Sequence, residues 1–85
     1  MTSKYTPFEL YLRSLSLGQK EITLSFEQVE RILNDKLPRS AYQHRAWWAN
    51  EKSGSHVHAH AWLDAGWKVD TVNFSAKWVH LVREK

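Results

Sequence analysis

Four of the five tryptophans in this 85-residue chain, and three of its five histidines, fall within residues 45–67, RAWWANEKSGSHVHAHAWLDAGW. This clustering constrains the fold more than any other feature. An aromatic side chain removes roughly 150–250 Å² from water when buried, and a chain of this size has room for one core. Residues 1–85 therefore read as a single domain whose interior this stretch must help to fill. The stretch also reads as ordered in itself: a tryptophan pair, a glycine-serine turn, a capped helix and a glycine stop.

The absence of cysteine excludes disulfides and thiolate metal sites, and fits a reducing compartment. The N-terminus, MTSKYTPFEL, has no basic run leading into an apolar one, so it does not read as a signal peptide. No apolar stretch approaches the roughly 20 residues of a membrane helix. The expectation is a soluble, cytoplasmic protein with no membrane partner. A net charge of +3 favours an anionic partner and speaks against an acidic DNA mimic.

Taken in order, Thr6-Pro7-Phe8-Glu9 predicts a helix over residues 7–17, with a T-x-x-E capping box, Tyr5 and Leu10 as a hydrophobic staple, and Gly18 as the stop. Residues 21–24 predict a short strand. Ser25 and Gln28 form a second capping box, Leu24 and Val29 a second staple, and Asn34 ends that helix before Pro38. Ser40 opens a short helical turn through Gln43. Adjacent Trp47 and Trp48 cannot face the same way on a strand, so one enters the core and the other covers a surface or a partner. Ser55 caps a third helix over residues 56–65, with Gly66 in the left-handed region. Residues 67–74 predict a strand whose alternation changes phase near Thr71, the mark of a bulge. Residues 75–77 turn, and residues 78–83 return as the second strand of a hairpin.

The expected class is therefore α+β: three helices, a short strand and a C-terminal β-hairpin, in the order of winged helix-turn-helix domains. The departure is the link over residues 37–54, against a usual 3–4 residues. The rival is a small sheet with Trp47 and Trp48 on a central strand and helices over one face.

Residues 22–83 resemble a family of small, functionally uncharacterised bacterial and phage domains. The resemblance is carried by Leu24-Ser25-Phe26, Leu37-Pro38, Ser40, Arg45-Ala46-Trp47-Trp48-Ala49-Asn50, His56, Ala61-Trp62-Leu63-Asp64-Ala65-Gly66-Trp67 and a closing V-x-x-V-x-F from Val69 to Phe74. It implies no activity. Members look like free-standing small proteins or attached modules, which suits binding better than catalysis.

His56, His58 and His60 resemble a metal site at first sight. On a helix only His56 and His60 align, with Asp64 one turn on. No glutamate stands between them as in H-E-x-x-H, so a hydrolytic zinc site would lack its base. No metal, cofactor or catalytic residue is expected, and the chain has no Gly-rich phosphate loop, cysteine nucleophile or Ser-His-Asp set. The favoured reading is a small protein that binds duplex DNA, the third helix entering the major groove and the hairpin lying on the backbone or in the minor groove. The residues expected to touch nucleic acid are Arg39, Arg45, Asn50, Lys52, Ser55, His56, His60, Lys68 and Lys77. A dimer or an attached partner would strengthen so small a binder. The alternative is a protein-interaction module without nucleic-acid binding, with Trp47 or Trp48 and Tyr42 as its hot spot.

Overall fold

The computed structural model describes residues 3–51 and 57–84. The elements are α1 (Thr6–Arg13), β1 (Glu21–Ser25), α2 (Phe26–Leu33), α3 (Arg39–Gln43), a 3-10 turn at Arg45–Trp48, a second at Val57–Ala59, α4 (His60–Leu63), β2 (Trp67–Asn73) and β3 (Trp78–Arg83). The class is α+β, as expected, with a C-terminal hairpin.

Local chemistry explains the best-defined helix. At α2 the Ser25 hydroxyl accepts from the Gln28 N–H while the Gln28 side chain accepts from the Ser25 N–H, so the capping box forms as the sequence predicts. Asn34 stops the helix in the left-handed region, at φ 55°. The staple pair Leu24 and Val29 is buried. The first N–H of α2, on Phe26, is taken by the carbonyl of Lys77 in the hairpin turn. The hairpin turn is thereby docked on the start of α2.

Helix α1 departs from its prediction at both ends. Thr6 is already helical, its hydroxyl accepts from the Ser3 N–H, and Tyr5 precedes the helix with no side-chain cap. Glu9 pairs with Arg13 instead of closing a box. Leu10 is 60% exposed, so it is no staple. The helix ends at Arg13 because the Ser14 hydroxyl turns back onto the Tyr11 carbonyl, competing with the next helical turn.

The sheet is antiparallel in the order β1-β3-β2, so β3 is central. The register slips between Val69 and Thr71, which leaves Asp70 as the extra residue of a bulge at the place where the alternation changes phase. Leu24, Val69, Val79 and Leu81 face the core with Trp67, while Thr23, Lys68, Asp70 and Thr71 face solvent. The helices lie on the core side: α1 packs against both α2 and α4, α2 against β1, and α4 against β2.

Trp48, Trp62 and Trp67 are each at most 1% exposed and form the interior with Phe8, Phe26 and Leu12. The rival strand placement of Trp47 and Trp48 is not adopted. A 3-10 turn brings the two rings to 4.7 Å at 74°, Trp48 wholly buried and Trp47 half-buried. Leu37, Ala41 and Trp48 of the long link thus fill part of the core. Among the described residues no helix is long and apolar enough to cross a membrane.

Candidate functional site

The expected third helix is the largest correction. Its described part is the 3-10 turn Val57–Ala59 followed by one α-helical turn, His60–Leu63. Histidine and β-branched valine have poor helix propensity, and this segment is held by packing. His58, Ala59, Ala61 and Trp62 all point inward. The helix packs on α1 and β2. Gly66 ends the segment at φ 87°, as predicted. Lys52, Ser55 and His56 lie outside the described residues.

His58 is built into the interior. Its ring lies flat on Trp47, with centroids 4.0 Å apart and 2° between planes, and Tyr5 meets both rings edge-on. Its Nε2 lies 2.6 Å from the Trp47 carbonyl oxygen. A carbonyl only accepts, so this nitrogen carries the proton. His60 faces outward and pairs with Asp64, 3.2 Å away. Among the described residues no group of three or more His, Cys, Asp or Glu side chains is arranged to hold a metal ion.

Asn50 has a specific structural task. Its Nδ2 donates to the Val69 carbonyl at 2.9 Å, and its Oδ1 accepts from the Val69 N–H at 2.8 Å and from the Trp62 indole N–H at 3.0 Å. The carboxamide reproduces the two bonds a neighbouring strand residue would make to β2. It closes part of an open sheet edge and satisfies a buried indole at once. Reading a base edge would use the same oxygen, which is already committed twice.

The expected cations divide differently. Lys4, Arg13, Arg31 and Lys36 each pair with a carboxylate, on Asp35, Glu9, Glu27 and Glu30 respectively. All four belong to α1, α2 and their flanks. Arg39 and Arg45 on the link, Lys68 on β2 and Lys77 in the hairpin turn are exposed and make no ion pair among the described residues. Lys68 does help to hold the Asp70 carboxyl below the usual range, behind the larger effects of hydrogen bonds from Thr71 and His80.

Two groups escaped the sequence reading. Glu30 accepts from the Tyr42 hydroxyl at 2.8 Å and from the Leu37 N–H at 2.9 Å, fastening the link to α2. Desolvation, then Glu30, pushes the Tyr42 phenol up to about 12. A cleft of about 410 Å³ runs from these residues past Phe26 and Ser25 to Ala76 and Lys77. The second group is His80 on β3, between Glu21 and Asp70. Its only sequence signal was an outward position in an alternating strand.

A one-sided three-stranded sheet, backed by short helices and plugged by a tryptophan-rich link, defines a small α+β module. The chain belongs to the family described as Domain of unknown function (DUF7662), which it matches over residues 8–84. No curated protein and no solved structure matches it.

Proposed function

We propose that the protein is a small nucleic-acid-binding module that grips the phosphate backbone of duplex DNA with Arg39 and Arg45 of the link and Lys68 and Lys77 of the hairpin. One observation carries this reading: among the described residues these exposed cations form no ion pair, whereas those of α1 and α2 are neutralised in pairs. The hairpin keeps the role given to it by the winged-helix layout. The link takes over from α4, whose single turn turns mostly inward and whose His60 is engaged by Asp64. Phosphate contacts fix position and carry no sequence information directly, so binding of this kind has little sequence preference.

The test is a salt titration of fluorescence anisotropy on a labelled duplex. Four phosphate contacts give a slope of log K against log salt of roughly −3.6, or about a hundredfold loss of affinity between 50 and 200 mM salt. Each alanine substitution among the four lowers the slope by about one. Absence of binding at low salt, or binding indifferent to all four substitutions, overturns the proposal.

A second reading, a protein-interaction module without nucleic-acid binding, is favoured by one observation. Leu10 on α1 and Leu17 in the turn beyond it are 60% and 82% exposed. The hot spot expected from the tryptophan pair is less available, since Trp48 is buried and Tyr42 is tied to Glu30.

A further inference from the structure

The solvent face of the sheet carries a device that nucleic-acid binding does not use. His80 lies on the central strand, opposite Thr23 of β1 and Thr71 of β2. Its Nε2 is 2.7 Å from Glu21 Oε1 on β1, and its Nδ1 is 3.2 Å from Asp70 Oδ2 in the β2 bulge. An ionised carboxylate only accepts, and a neutral imidazole has one N–H. Both contacts are hydrogen bonds only when both ring nitrogens are protonated. The three side chains therefore specify an imidazolium between two carboxylates, one on each flanking strand.

We propose that His80 is a pH-operated clasp: as imidazolium it ties both outer strands to the central one through Glu21 and Asp70, and on losing a proton it releases the Asp70 bulge and loosens β2. The contact lengths set the order of release. Glu21 is the closer partner, and Asp70 retains the Thr71 hydroxyl at 2.9 Å and the nearby charge of Lys68 when the ring lets go. The charged groups acting on the ring are Glu21 from β1 and Asp70 from β2. Thr23 and Thr71 beside it are uncharged, and the helices pack on the opposite face. Release matters at this point because a bulge already interrupts the ladder. It matters also because Val69, the residue before Asp70, is the one held by Asn50. Clasp and carboxamide grip consecutive residues of β2, so loosening one bears on the seat of the tryptophan-rich link.

The hydrogen bond to Glu21 is the largest cause of a raised His80 pKa, opposed by partial burial and reinforced by Asp70. A histidine with a folded pKa above its unfolded value, about 6.5, contributes its full stabilisation below that value and loses it as pH rises through the folded one. Release thus falls on the alkaline side of about 6.5.

Ring resonances of His80 followed by NMR against pH, with amide-exchange protection factors for β2, test the clasp. The expected midpoint lies above 6.5, about the free-histidine value. It falls in Glu21→Gln and in Asp70→Asn, both changes at exposed side chains. Protection in β2 drops through the midpoint in the wild type and stays level in His80→Gln. A midpoint at or below the free value, or β2 protection that does not change through the titration, overturns the proposal. Neither measurement involves nucleic acid, so the outcome is independent of the preceding reading.

Discussion

Replacing Asn50 with alanine removes three hydrogen bonds from one side chain, and the consequences differ by partner. The Trp62 ring is 1% exposed, so its N–H is left in the interior without an acceptor. A buried donor stranded in this way costs about 1–3 kcal/mol. The N–H and carbonyl of Val69 lie on the outer strand, where water can replace the lost amide, and each bond there is worth about 0.5–1.5 kcal/mol net. Together these give a loss of about 3 kcal/mol, which lowers Tm by roughly 12–24 °C in a domain of this size. Urea unfolding followed by tryptophan fluorescence, with thermal unfolding by circular dichroism, measures it. Asn50→Asp refines the test. It keeps both acceptor bonds but sets a carboxylate oxygen against the Val69 carbonyl, so that variant loses stability as pH rises and its carboxyl ionises. A loss below about 0.5 kcal/mol for the alanine variant, the range of an ordinary surface substitution, refutes the structural assignment. Impaired duplex binding at unchanged stability would return Asn50 to the base-reading role its sequence position suggested.

Three further outcomes follow from the geometry. The Tyr42 phenol ionises at about 12, visible by ultraviolet absorbance during alkaline titration. Because that value is raised, its stabilising contribution is complete below about pH 10 and lost on approach to the higher value, and Tyr42→Phe costs about 1 kcal/mol at neutral pH. Ser25→Ala opens the capping box of α2 and lowers stability by about 1 kcal/mol in the same urea assay. Trp48→Ala empties the space between Phe26 and Trp62, whose rings lie 5.5 and 5.7 Å from it. It also strands the Ala41 carbonyl that accepted its indole N–H. That change costs about 3–5 kcal/mol and leaves a largely unfolded chain by circular dichroism.

Legibility tracked how local the governing interaction was. The start of α2, its stop at Asn34, the turn at Gly66, the bulge near Thr71 and the hairpin at residues 75–77 depend on side chains a few positions apart, and the structure places all of them as read. The expected span of helix α1 ran too far because Leu15 continues the helical spacing of Phe8, Tyr11 and Leu12 and Gly18 is the first evident stop. Period alone does not register that the Ser14 hydroxyl competes for a carbonyl, or that Leu17 finds no surface to cover. The site was less legible than the fold. The exposed cations could be named from the sequence, but which of them a carboxylate neutralises depends on residues brought together by folding or set one helical turn apart. His80 and Glu21 are 59 positions apart in the chain.

From its order of residues the chain determined its class, its caps and turns, the hairpin, and the need to hide most of its tryptophans, because short-range hydrogen bonding, backbone preference and alternation act without knowledge of the rest of the molecule. Only the tertiary structure decided that His58 faces inward and that Asn50 serves β2 and Trp62. It alone set His80 between two carboxylates on different strands. Those outcomes depend on which surfaces meet when the long link folds into the core, and on the desolvation that follows, and neither quantity exists until distant segments are in contact.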